Sequence, residues 1–313
     1  MIPGLVGQWV SAGMLDLPLP GGGETLARFH RLAALAEMDV VAGRLAEAHA
    51  DAIAILAELN GPDALADQLW GVWAAEPPDA VLNARTEGDR VVLDGTKAWC
   101  SGAALSTHAL VSARLESGER GLFAVDLHQV GVQPLPSTWH NAGMAESDTR
   151  AVQFTSVDAV AVGRPGEYLS RPGFWHGAIG VSACWLGGAR AVAAPLYERA
   201  THDRVDAHAL AHLGAVDAAL AAGDAMLVWA AAEIDDDPEN RKGSAELTAR
   251  RSRAVVETAV DEAIGRTARA LGPAPLCEDA QHAQRVADLT IYVRQSHAER
   301  DLERLGVLAG DTR

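Results

Sequence analysis

Residues 91–103 read VVLDGTKAWCSGA, and the organisation of the chain can be worked outward from them. The β-branched run VVL followed by Asp94-Gly95 predicts a strand and a tight turn, because Asp-Gly readily adopts the positive-φ conformations of a two-residue hairpin. Runs of the same texture follow at HALVSAR (108–114), GLFAVDL (121–127) and AVQFTSV (151–157). Between Gly71 and Ser170, short strands with close turns and no intervening helix predict a small antiparallel barrel or sandwich. Taken alone, Trp99 and Ser101 read as a core aromatic at a strand end and a turn residue.

The flanks have helical texture. Upstream, Leu26, Phe29, Leu32, Leu35 and Ala36 recur at three- and four-residue spacing. Leu45, Ala48, Ala52, Ile55, Leu56 and Leu59 then share one face of a second helix. Gly21-Gly22-Gly23 and Asn60-Gly61-Pro62 punctuate the pair, and Leu65–Trp70 predicts a further short helix. Downstream of Arg171-Pro172-Gly173 the spacing predicts four Ala-rich helices at 174–201, 207–235, 244–271 and 279–305, the last uninterrupted. Short links between them argue an up-and-down bundle. The expected class is therefore α+β and multidomain: N-terminal helices over 1–70, a β-barrel or sandwich over 71–170 and a C-terminal four-helix bundle over 171–313.

Composition narrows the partners. Lys plus Arg number 26 against 42 Asp plus Glu, a net charge of −16, which repels nucleic acid and anionic lipid. MIPGLVGQWVSAGM lacks the basic residues and apolar run of a signal peptide, and no membrane span is expected for want of an apolar stretch of about 18 residues. Cys100, Cys184 and Cys277 are odd in number and far apart, so they are read as reduced thiols in a cytoplasmic protein. His208 and His212 share one helix face, but a zinc site needs a third ligand, and no metal is expected. The glycines of LGGARA (186–191) follow no strand, so they predict close helix packing and no dinucleotide fingerprint.

The order of elements, with particular residues in it, resembles the acyl-CoA dehydrogenase family. AEMDVVAGRLAEAHADAIAIL followed by a Gly-Pro turn is similar to the helices before that family's β domain. WGVWAAEP (70–77) is similar to its first β motif, LDGTKAWCSGA (93–103) to its second, and WHNAGMAESDTRAVQF (139–154) to its third. RPGFWHGAIGVSACWLGGAR (171–190) resembles the start of its bundle. The resemblance implies FAD, with Trp99 against the flavin ring and Ser101 offering its hydroxyl to flavin N5. Backbone groups of Ala75, Glu76 and Cys100 would meet the pyrimidine end. It also implies an acyl thioester or related small substrate and a homo-oligomer.

Departures from the family pattern bear on function. The N-terminal helical region is short, and PDAVLNA (78–84) replaces the Gly-x-Gly-Ser-Asp that helps hold the diphosphate. Ala75 stands where Thr is usual and Ala145 where Arg is usual. YERATHDRVDAHALAHLG lacks the Arg-x-x-Phe-Gly pattern, for which Arg199 or Arg204 is the nearest substitute. Desaturation needs a base over the substrate. Both usual positions lack a carboxylate, falling near Gln295–His297 and near His176 and Gly177. His297 and Glu299 are the candidate replacements, with His176 close to the alternative position; a solvated or intersubunit helix face is the other reading of 297–301. The expectation is an FAD-dependent oxidoreductase of acyl-CoA dehydrogenase type. A flavin oxidase or monooxygenase on the same fold, and a cofactor-free scaffold, are the alternatives.

Overall fold

The computed structural model describes residues 2–77, 80–88, 90–201 and 206–311. Three helices come first: α1 (Ile2–Ser11), α2 (Thr25–Met38) and α3 (Val40–Glu58). Seven strands follow: β1 (Trp70–Trp73), β2 (Leu82–Glu87), β3 (Arg90–Cys100), β4 (His108–Leu115), β5 (Arg120–Asp126), β6 (Val132–Pro134) and β7 (Arg150–Val162). The chain then runs through α4 (Glu167–Ser170), α5 (Gly173–Ala200), α6 (Ala207–Asp236), α7 (Ala245–Leu271), α8 (Ala274–Glu278), α9 (Ala280–Tyr292) and α10 (Glu299–Asp311). By compactness it forms two units. The first holds Met1–Leu17, Leu45–His140 and Ala145–Phe174; the second holds Pro18–Arg44, Asn141–Met144 and Trp175–Arg313.

In the first unit the pairings β4–β2–β3–β7–β5 return to β4, so the sheet closes into a barrel. Closure leaves these strands without a free edge. Period-two alternation sorts the side chains. Ala109, Val111 and Ala113 of β4 and Phe123 and Val125 of β5 join Leu93, Val152, Phe154 and Val157 in one core. Their neighbours Leu110, Leu122 and Ala124 face the other way, where Ala52, Ile55 and Leu56 of α3 and the adjoining Leu59 cover them. Arg171, 4% exposed, pairs with Glu58 at 2.6 Å and Asp51 at 3.8 Å, fixing the chain beside α3.

Three local expectations are corrected here. Asp94-Gly95 is a bulge inside β3, with a register shift against β7. Gly95 has φ 126° and no room for a Cβ, which would lie 2.3 Å from the Val81 carbonyl. β2 instead pairs with β3 so that Glu87 and Arg90 face each other in register, and Gly88 has φ 63°. Residues 65–69 form no helix, and Trp70 opens β1; its backbone N–H donates to His49 Nδ1 at 3.1 Å. The barrel is mostly antiparallel, but β4 runs parallel to both β1 and β2, a topology that strand texture does not encode.

In the second unit α5, α6 and α7 lie within one residue of their expected bounds. The two glycines of LGGARA permit close packing as expected: a Cβ at Gly187 would stand 1.9 Å from the Ala33 carbonyl of α2, and one at Gly188 2.8 Å from Leu289. Asp235 of α6 ties down the start of α2, accepting from Thr25 Oγ1 at 2.5 Å. Two helices correct the expectation of no long apolar stretch. α5 and α6 are long and apolar enough to cross a membrane by length and composition, and 78% and 33% of their apolar windows are buried within the protein. α5 satisfies the hydropathy window as a mostly buried core helix does, whereas α6 leaves most of its window exposed.

The expected helix 279–305 is also corrected. α9 ends at Tyr292, a 3-10 turn covers Val293–Gln295, and α10 begins at Glu299. Side chains compete with the helical ladder here. Ser296 Oγ accepts from Ala298 N at 3.1 Å, Asp301 accepts from His297 N at 3.0 Å, and Ala298 adopts φ 47°. Ser-x-x-Glu at 296–299 is the start signal that helical periodicity conceals.

Candidate functional site

β3 carries the candidate site at its end. Trp99 has φ 58°, a left-handed conformation disfavoured for a bulky residue and found where surrounding contacts enforce it. Its side chain is 56% exposed, whereas Trp70, Trp73 and Trp185 are 3% exposed or less. The strained backbone thus holds a flat aromatic ring exposed to solvent.

The 146–150 segment holds the turn after Trp99 in place. Gly102 N donates to the Ser147 carbonyl at 2.7 Å and Ala103 N to the Asp148 carbonyl at 3.2 Å. Ala104 N donates to Asp148 Oδ2 at 2.7 Å, and Arg150 pairs with the other oxygen of that carboxylate. Trp73 Nε1 donates to the Ser101 carbonyl at 2.9 Å. The Ser101 hydroxyl lies 2.9 Å from Thr149 Oγ1, which lies 2.8 Å from Ser147 Oγ. Ser101 is half-buried beside the exposed indole. Cys100 is fully buried, and burial pushes its thiol well above the ordinary range. Its side chain belongs to the core, which leaves only its backbone for a ligand.

Ala75 and Glu76 follow β1, and the Glu76 carboxylate is already engaged. It accepts from Ser112 Oγ at 2.8 Å, pairs with Arg120 Nε at 2.5 Å and stands 4.0 Å from Lys97 Nζ. Lys97, 3% exposed, donates to the Ser112 carbonyl and hydroxyl, each at 2.8 Å. Burial lowers its ammonium pKa to about 8, with Glu76 opposing the shift. This network pins the segment carrying Ala75 and Glu76 to the barrel.

His297 and Glu299 lie in the second unit, His297 in the connection between α9 and α10 and Glu299 at the first position of α10. Both are exposed, and His297 Nδ1 is 3.8 Å from Asp301 Oδ1. Asp301 also binds Arg250 at 2.9 Å. His176 is buried near the start of α5 and lines a small void with Ile179, Ile234 and Thr248. Arg199 is exposed in the last turn of α5, and Arg204 lies outside the described residues. A separate cavity of about 550 Å3 between α2, α5 and α6 is lined by Glu37, Arg190, Tyr197, Asp217 and Asp224 and contains none of the expected site residues. Among the described residues no group of three His, Cys, Asp or Glu is placed to hold a metal.

Residues 147–149 and Lys97 acquire roles that the sequence reading left unassigned. Ser-x-Thr is visible in the sequence, but its pairing with a serine 48 residues earlier is not. Lys97 was likewise legible only as part of the Gly-x-Lys-x-Trp segment.

Residues 75–157 match the acyl-CoA dehydrogenase middle domain. The fold along the chain is similar to that of dibenzothiophene monooxygenase TdsC from Paenibacillus sp. A11-2, in a complex with FMN and indole. That match has TM-score 0.82 and 19% identity, covering 99% of this chain and 88% of that one. It is similar also to methanesulfinate monooxygenase MsuC from Pseudomonas fluorescens (TM-score 0.83, 18% identity, 98% and 89% covered). A third likeness is to nitrososynthase from Micromonospora carbonacea var. africana (TM-score 0.80, 17% identity, 96% and 88% covered). No protein of curated description matches by sequence. Residues 75–157 thus match the acyl-CoA dehydrogenase middle domain, and the chain as a whole has the fold of these acyl-CoA dehydrogenase-like structures.

Proposed function

We propose that the protein is a flavin-dependent oxidoreductase of monooxygenase or oxidase type acting on a small organic molecule. The observation that carries the reading is the exposed, left-handed Trp99 beside a hydroxyl held at fixed distance by Thr149. Bound there, a flavin would supply two-electron redox chemistry and reactivity toward oxygen. The protein's part would be to cover one ring face with Trp99, direct the Ser101 hydroxyl to the ring edge, and offer backbone groups of Ala75, Glu76 and Cys100 to the pyrimidine side. FMN suits the chain better than the FAD expected from the family resemblance. The segment after Glu76 lacks the Gly-x-Gly-Ser-Asp donors associated with a diphosphate, and TdsC is described with FMN.

Monooxygenase or oxidase chemistry is favoured over desaturation because no carboxylate occupies either usual base position. One observation supports acyl thioester dehydrogenation as a second reading. The helical ladder breaks at 293–298, with His297 in the connection and Glu299 opening α10, close to where the family resemblance implies a base. We further propose a cytoplasmic homo-oligomer. Leu210 and Val228 of α6 and Leu302 and Val307 of α10 are exposed apolar side chains that association would cover. Absorption spectra after incubation with FMN or FAD and desalting test the cofactor. A retained chromophore followed by oxygen uptake from the reduced protein supports the first reading. Anaerobic bleaching by an acyl thioester, abolished in a His297→Ala, Glu299→Ala double variant, supports the second. A colourless product with both flavins overturns both.

A further inference from the structure

Three hydroxyls follow one another where the 146–150 segment clamps the turn after Trp99. Ser147 is 2% exposed, its Oγ is 2.8 Å from Thr149 Oγ1, and Thr149 Oγ1 is 2.9 Å from Ser101 Oγ. Each hydroxyl has one proton to donate and two lone pairs to accept with, so the direction of one bond constrains the next. When Thr149 donates to Ser101, it accepts from Ser147, and the Ser101 proton is free to point out of the clamp. When Ser101 donates inward, it faces a ligand only with lone pairs. The backbone bonds from Gly102 and Ala103 to residues 147 and 148 hold the two segments together without these hydroxyls. The line of hydroxyls is therefore separable from the clamp itself.

We propose that Thr149 is a positioning residue that turns Ser101 into a hydrogen-bond donor: Ser147 donates to Thr149, Thr149 donates to Ser101, and Ser101 donates to the ring-edge nitrogen N5 of the bound flavin. The proposal rests on the flavin reading of the Trp99 site. N5 of an oxidised flavin is an acceptor and N5–H of a reduced flavin a donor. Reduction therefore reverses the demand on Ser101, and a line of hydroxyls can follow by each rotating its proton. The oxidised flavin needs the outward polarity, so the contribution of Thr149 is largest for that state.

The test measures FMN dissociation constants by fluorescence titration in wild type, Thr149→Val, Thr149→Ser, Ser101→Ala and the double variant Ser101→Ala, Thr149→Val, with midpoint potentials where flavin is retained. Far-ultraviolet circular dichroism and thermal melts establish that each variant is folded. Losing one net hydrogen bond weakens binding by about two- to tenfold. Thr149→Val should show that loss for oxidised FMN, with a shifted midpoint potential, and Thr149→Ser should restore wild-type values. In the Ser101→Ala background Thr149→Val should change nothing, because its effect passes through Ser101. Wild-type affinity in Thr149→Val overturns the proposal, and so does an equal loss in the Ser101→Ala background, which would make Thr149 a structural clamp only. Failure of wild type to bind either FMN or FAD overturns the flavin reading itself, a result distinct from both.

Discussion

Replacing Lys97 with Met should change how stability depends on pH, by an amount the structure sets. Lys97 is 3% exposed and its ammonium is held by Ser112. Burial lowers its pKa from 10.5 to about 8, against the opposing field of Glu76. Between those two values the unfolded chain carries a proton that the folded chain has lost, so stability rises with pH through the window. At 1.36 kcal/mol for each pKa unit the whole window is worth about 3 kcal/mol, of which about 2 kcal/mol falls between pH 7 and 9.5. Lys97→Met also removes the donors to Ser112, a loss that shifts the variant's stability at both pH values. Other groups titrating in this range are common to both proteins. Urea unfolding followed by tryptophan fluorescence at pH 7 and 9.5 should therefore show wild type gaining about 2 kcal/mol relative to Lys97→Met. Parallel pH profiles, within about 0.5 kcal/mol, would show that Lys97 stays protonated in the fold and that the reasoning from its burial is wrong.

Other expectations follow from single contacts. Trp99→Ala should weaken flavin binding about thirtyfold, or about 2 kcal/mol, for loss of the exposed ring surface, as read by fluorescence titration; unchanged affinity would place the flavin elsewhere. Gly187→Ala drives a Cβ to 1.9 Å from the Ala33 carbonyl, and because backbone cannot swing away the cost should be at least about 2 kcal/mol, seen as a lower urea midpoint. Glu246 holds α10 through Arg304 at 3.0 Å and binds Arg250 at 2.9 Å. Glu246→Gln should let trypsin cut after Arg294 or Arg300 about two- to fivefold faster at pH 7. The hydrogen bond from Arg304, opposed by burial and reinforced by Arg250, keeps the Glu246 carboxyl below its ordinary 4.5. Its contribution to wild-type stability is therefore present above that value and lost as pH falls through the lower folded value, which acid titration of the urea midpoint checks.

The helices were legible where their period was long and regular. α5, α6 and α7 span many turns, and α6 and α7 end at Asp-Pro and Gly-Pro stops that act on the local backbone. α1 was missed although Ile2, Val6 and Trp9 are buried at helical spacing, because Gly4 and Gly7 weaken the local signal. The break before α10 was missed for the opposite reason. Apolar periodicity continues through Ser296, while the side chains of Ser296 and Asp301 take the hydrogen bonds that would have continued the helix.

The candidate site divides along the same line. Trp99 and Ser101 stood out as residues, but exposure and strain at Trp99 are properties of the folded backbone, and a buried Trp has the same letters around it. By itself the sequence determined the succession of helices, strands and bundle, because propensity, turn residues and apolar period act over a few neighbours. Only the tertiary structure decided that Asp94-Gly95 is a bulge, that β4 closes the barrel, that Lys97 is buried and that Thr149 meets Ser101. Each of these depends on strands or segments far apart in the chain being brought within bonding distance, and local sequence does not encode which distant partner a backbone group or hydroxyl will find.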